Sequence, residues 1–183
     1  MSGAHRADPT QRLGEPAAWA TSVVPSAQAM RDLGGLLAAV MRAGDLVVLT
    51  GDLGAGKTTL AQGIGTGLAV RGDVTSPTFV IARVHPSLVG GPALVHVDAY
   101  RLDTLSEVDD LDLDASLGES VTVVEWGEGL VEGLAADRLE VRLERRRGSA
   151  GPDDAEVNGD EPRTVRVRGF GPRWAEVALP VLD

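Results

Sequence analysis

Apolar residues at Met30, Leu33, Leu37 and Val40 recur at intervals of three and four, which predicts a helix with one buried face ending near Arg42. Pro25-Ser26 offers its start, with Ser26 as the N-cap, and Gly44-Asp45 stops it. Leu46–Thr50 then runs without alternation, the pattern of a strand covered on both faces. A second helix is expected from about Lys57 to Val70. It carries Gly63, Gly65 and Gly67, each costing about 1 kcal/mol relative to Ala, so docking onto a sheet and not propensity has to hold it.

Trp19–Val24, Phe79–His85, Leu94–Asp98 and Val121–Glu125 read as further strands, with the Gly/Pro-rich stretch Pro86–Pro92 as a turn. Leu105–Leu117 is acidic and reads as mostly helical. Leu139, Val141 and Leu143 alternate with Glu140 and Arg142, and Val165 and Val167 with Arg166 and Arg168. Arg138–Glu144 and Thr164–Phe170 are therefore expected to form an antiparallel pair with one wet face. Some of these seven strands fall in βα units and some in hairpins. The expectation is an α/β fold: a single three-layer domain over residues 19–183 on one mixed, about seven-stranded sheet. Residues 1–18 are polar and aperiodic, a disordered lead, and 146–162 is a mobile surface insertion rich in Gly, Pro, Asp and Glu.

Composition narrows the class. The 183 residues include no cysteine, which excludes disulfides and thiolate chemistry. No apolar run approaches the ~20 residues of a membrane span, and the first ten residues do not read as a secretion signal, so a cytoplasmic protein is expected. Net charge is −10, whereas a protein gripping a nucleic-acid backbone shows a basic footprint. Of 17 basic residues only Lys57 is lysine. A compact ammonium fits between phosphate oxygens where a planar guanidinium does not.

That lysine lies in Gly51-Asp52-Leu53-Gly54-Ala55-Gly56-Lys57-Thr58, a full G-x-x-x-x-G-K-[ST] phosphate loop between a buried-type strand and a helix. Its backbone N–H groups and the helix N-terminus attract phosphates, Lys57 reaches the outer ones, and the Thr58 hydroxyl suits magnesium. Thr59 follows directly. A magnesium–triphosphate site also needs carboxylates at neighbouring strand ends. Asp98 and Glu125 each end an apolar strand; one is expected to hold the metal and the other to orient the attacking water. Thr75–Thr78 is a hydroxyl-rich segment of the kind that senses a γ-phosphate. His85 and His96 read as structural, and Asp109, Asp110, Asp112 and Asp114 as a solvated face.

A GTPase reading fails, because the one asparagine, Asn158, precedes glycine where N-K-x-D is needed. The L-S-G-G-Q signature of transport ATPases is absent. Gly51–Thr59 together with Ser76-Pro77-Thr78-Phe79, His96-Val97-Asp98-Ala99-Tyr100-Arg101-Leu102 and Val124-Glu125-Trp126, in that order and spacing, resembles the bacterial TsaE family. The resemblance spans about residues 20 to 170 and implies the P-loop NTPase fold.

It further implies a small magnesium-dependent ATPase, weak alone, that supports TsaB and TsaD in forming threonylcarbamoyladenosine beside the anticodon of tRNA, with tRNA met only indirectly. Carried over by motif, Thr58 and Glu125 are linked to magnesium, Asp98 assists hydrolysis, and Thr78, Trp126 and Arg163 join the nucleotide site. The acidic segment departs from the pattern, since Asp112 and Ser116 stand where a glycine and an aromatic are usual. Two other classes stay open on the residues alone: a small-molecule kinase with Arg145–Arg147 in a lid, and a nucleotide-gated binding module.

Overall fold

The computed structural model describes residues 18–76, 81–102, 104–145 and 161–182. Most of the expected lead, most of the 146–162 insertion and Thr78 lie outside them. Seven strands form one mixed sheet: β1 (Ala20–Val24), β2 (Leu46–Gly51), β3 (Ala82–His85), β4 (Ala93–Asp98), β5 (Ser120–Glu125), β6 (Arg138–Arg145) and β7 (Arg163–Phe170), in the spatial order β1-β7-β6-β2-β5-β4-β3. The central strand β2 runs parallel to β5 and β6, and β4 parallel to β5. The flanking pairs β6–β7, β1–β7 and β3–β4 are antiparallel. The alternation in β6 and β7 sorts as expected, with Leu139, Val141, Leu143, Val165 and Val167 turned into the core.

Two helices, α1 (Ala27–Val40) and α2 (Lys57–Gly67), cover one face. Ser26 caps α1, its hydroxyl accepting from the Ala29 N–H at 3.1 Å. Met30, Leu33 and Leu37 bury as the spacing requires, while Val40 at the end of the helix is only half-buried. Together with Leu60 and Ile64 they seal Val47, Leu49, Val121 and Val123 of the sheet. On the opposite face, α3 (Leu105–Asp109) and α4 (Leu113–Leu117) bring Val108 and Leu113 against Val48, Val95, Val97 and Val124. A four-residue helix, α5 (Pro172–Ala175), seats Trp174 under the first core.

One expectation needs correction. Docking onto the sheet is not all that holds α2, because two of its glycines face α1. A Cβ on Gly34 of α1 would come within 2.5 Å of the Leu60 carbonyl and 2.8 Å of Gly63 Cα; one on Gly67 would meet Ala38 Cβ at 2.5 Å; one on Gly63 would overlap the Arg31 carbonyl. The two backbones approach so closely that side chains are excluded. Gly65 alone points toward Val74 and Leu94. The 105–117 segment is mostly helical, as expected, but in two pieces: Asp112 adopts φ 49°, a left-handed conformation that divides it into α3 and α4. Its α3 half begins with a capping box between Thr104 and Glu107.

Candidate functional site

The parallel order β6-β2-β5-β4 places the ends of β2, β4 and β5 side by side. The phosphate loop leaves β2 at Gly51 and enters α2 at Lys57. Gly56 takes φ 106° there, and a Cβ would crowd Met30 Cε at 3.2 Å. Only glycine supports that conformation without strain, which lets the loop fold back on the helix N-terminus. The register sets Asp98 directly beside Glu125, so the two strand-end acids share the cleft that begins at the loop.

That cleft, of about 280 Å³, is lined by Leu53, Gly54, Gly56, Lys57, Thr58, Thr59, Ser76, Asp98, Tyr100, Glu125 and Trp126. Thr58 donates its hydroxyl proton to Glu125 Oε2 at 3.1 Å. Asp98 Oδ2 accepts from Ser76 at 2.9 Å, and its Oδ1 from the Tyr100 N–H at 3.1 Å. The Lys57 ammonium donates to the carbonyls of Gly51 at 2.6 Å and Asp52 at 3.0 Å. Burial pushes its pKa down, opposed by the charges of Glu125, Asp98 and Asp52. Trp126 holds φ 62°, uncommon for a bulky side chain. Its backbone N–H donates to the Leu49 carbonyl at 3.1 Å. Tyr100 meets the Trp126 ring edge-on at 5.2 Å.

Thr59 and Gly54 also line a smaller cavity of about 100 Å³ behind the loop, with Ser26, Ala27, Met30 and Arg163. The residues singled out in the sequence therefore gather on two sides of one loop, Arg163 apart from Lys57. A larger open groove of about 390 Å³, bounded by Arg31, Gln62, Thr66, Asp73 and Thr75, lies away from the paired acids. Among the described residues no cluster of three His, Cys, Asp or Glu side chains forms a metal cage. A magnesium held by one hydroxyl, carboxylate and phosphate oxygens needs none.

Two contacts were not anticipated. Arg145 donates to the Gly54 carbonyl at 3.2 Å, bracing the loop from the end of β6. The buried His96 sits 2.8 Å from Glu125 Oε1 through Nε2. His96 and Glu125 lie on adjacent strands two registers apart, a relation that appears only once β4 and β5 are paired.

A complete phosphate loop on a central parallel strand, with acids on the next two strand ends, defines a nucleotide-binding P-loop NTPase fold. The family model described as "Threonylcarbamoyl adenosine biosynthesis protein TsaE" matches residues 24–151, and the chain belongs to the TsaE family. It is 61% identical over 154 residues to the tRNA threonylcarbamoyladenosine biosynthesis protein TsaE of Streptomyces coelicolor, covering 84% of this chain and 99% of that one. The protein of that name from Bacillus subtilis is 41% identical over 123 residues, 67% of this chain and 73% of its own. The crystal structure of Bacillus subtilis YdiB superimposes with a TM-score of 0.62 at 28% identity, covering 86% of this chain and 89% of that one. No helix among the described residues is long and apolar enough to cross a membrane.

Proposed function

We propose that this chain binds ATP with magnesium and hydrolyses it, acting in the cytoplasm with TsaB and TsaD proteins in the formation of threonylcarbamoyladenosine in tRNA. The observation that carries the reading is the Thr58–Glu125 hydrogen bond at the mouth of a complete phosphate loop. A hydroxyl has one proton and two lone pairs. With its proton given to Glu125, the Thr58 oxygen keeps lone pairs free for a hard cation, and the carboxylate beside it supplies the negative charge that such a cation seeks. Thr58 and Glu125 would hold magnesium, Glu125 directly or through water; the ion would neutralise charge on the transferring phosphoryl group.

The other roles follow from position. The loop N–H groups from Gly51 to Thr59 and the N-terminus of α2 cradle phosphates. Lys57 exchanges its bonds with the Gly51 and Asp52 carbonyls for phosphate oxygens, and Trp126 keeps it aimed along the cleft. Asp98, with both oxygens facing donors from Ser76 and Tyr100, orients the attacking water. Arg163 and the cavity behind the loop accept the nucleoside end, and Thr78 senses the γ-phosphate. Net charge of −10 favours action through protein partners over a direct grip on tRNA.

The test is phosphate release from ATP by the purified chain, with MgCl₂ or with EDTA, alone and with TsaB and TsaD. The expected result is slow magnesium-dependent release that rises with the partners and is lost in Lys57→Ala. Release unaffected by EDTA or by Lys57→Ala would overturn the reading. Release that appears only with a phosphorylatable metabolite would replace it with a small-molecule kinase.

A further inference from the structure

We propose that His96 is a positioning residue for hydrolysis: it pins one oxygen of Glu125 so that the other faces Thr58 and the metal. The inference rests on the magnesium-dependent ATPase reading above and assigns a role to a residue outside the phosphate loop and the strand-end acids. His96 is fully buried and Glu125 is 2% exposed, so neither can turn to water for a partner. A carboxylate accepts, so Nε2 donates to Oε1 across 2.8 Å. The other ring nitrogen, Nδ1, is buried without a hydrogen-bond partner among the described residues. A proton there would be an unsatisfied donor, so the proton sits on Nε2.

The two oxygens of Glu125 are thereby divided. Oε1 is committed to the imidazole, and Oε2 accepts from Thr58 at 3.1 Å. Without His96, Oε1 becomes a buried unpaired acceptor, and the carboxylate is free to swing both oxygens toward Lys57 and Thr58. Groups that orient a metal-linked carboxylate typically cost 10–100-fold in metal affinity or activity when removed. His96 has no contact with the loop backbone in the hydrogen-bond pattern, so its loss spares phosphate binding as such.

Calorimetry compares ADP affinity with MgCl₂ and with EDTA in the wild type, His96→Phe and His96→Gln. The Phe variant keeps an aromatic ring and loses the donor; Gln restores an N–H near the position of Nε2. In His96→Phe, ADP affinity in EDTA is expected to hold, while the gain on adding magnesium shrinks by less than about tenfold and the kcat for ATP falls by about 10–100-fold. His96→Gln recovers most of both. A folded His96→Phe with the full magnesium gain and wild-type kcat would make the histidine merely structural and overturn the inference.

If His96→Phe does not fold, ring-nitrogen NMR of the metal-free wild type decides. A protonated Nε2 whose signal moves in Glu125→Gln supports the pinning, and a protonated Nδ1 or an unmoved signal refutes it. If the wild type itself shows no magnesium gain and no hydrolysis, the ATPase reading fails, an outcome distinct from a wild type that shows both and a variant that keeps them.

Discussion

The Lys57 ammonium stands 3.7 Å from the centre of the Trp126 ring, so the lone lysine of the chain is held between an aromatic face and the carbonyls of its own loop. Lys57 is 4% exposed, and burial outweighs the attraction of the nearby acids, leaving its pKa below the usual 10.5. Function and stability then pull apart at this residue. Below its folded pKa the ammonium is charged in both folded and unfolded chains, and the folded chain bears the desolvation cost. As pH rises from that value toward 10.5, the folded chain loses the proton first and the cost fades. Lys57→Met is therefore expected to be more stable than the wild type near neutral pH, with the gap closing toward pH 10.5. Nucleotide binding should be lost in it, and in Lys57→Arg as well. Urea denaturation over a pH series checks the first claim; a wild type more stable at pH 7, or a gap that does not change, would refute it.

Glu125→Gln keeps the shape of the side chain and removes its charge. A group that holds the metal or places water acts mainly on the transition state, so kcat should fall by about 10²-fold or more while ATP affinity changes by less than about tenfold. Asp98→Asn is expected to follow the same pattern. Steady-state kinetics with the partner proteins present, beside calorimetric affinities, separate the two quantities. Normal turnover in both variants would remove the strand-end acids from the chemistry.

The helix pair makes a stability prediction against propensity. Alanine is the better helix former by about 1 kcal/mol, yet Gly34→Ala and Gly63→Ala each place a Cβ into backbone of the facing helix. Overpacking that has to push two backbones apart typically costs about 1–3 kcal/mol. Both variants should lose several degrees of thermal stability, whereas Gly35→Ala, whose Cβ meets nothing within 4 Å, should gain or hold. Thermal scans decide it; equal behaviour of the three would contradict the close α1–α2 approach.

The phosphate loop, its flanking strand and helix, and the alternating pair β6–β7 were legible because each is a local pattern: contiguous residue types, or a period of two. The placement of Asp98 and Glu125 at one cleft was legible because both end apolar runs, and the parallel order puts such ends together. His96 was not, since an imidazole in an apolar strand reads the same whether it faces packing or a carboxylate. Only the β4–β5 register decides between them. The glycines of α2 read as a cost, but nothing along the chain says that α1 is the surface they meet. The break at Asp112 hides for a different reason: aspartate adopts a left-handed conformation more readily than most residues, and an acidic helical run conceals it.

The last expectation concerns the mouth of the cleft. Leu53 is 83% exposed and Tyr100 68% exposed, both on the rim beside the phosphate loop. Ser76, which precedes Pro77 and Thr78 in the proposed sensing segment, donates to Asp98 at 2.9 Å. The rim and the proposed sensor of the γ-phosphate are thus linked through one carboxylate. A nucleotide strengthens association only as far as the bound form differs from the free one at the contact surface. A non-hydrolysable ATP analogue is expected to raise affinity for a TsaB–TsaD complex by about tenfold or more, which needs about 1.4 kcal/mol of differential binding. Thr78→Ala and Ser76→Ala should narrow that ratio while leaving the nucleotide-free affinity in place. Leu53→Asp should weaken association with and without nucleotide. Titrations of labelled complex measure all of these; equal affinity with and without the analogue would end the gating idea, and no association in either condition would end the proposed partnership.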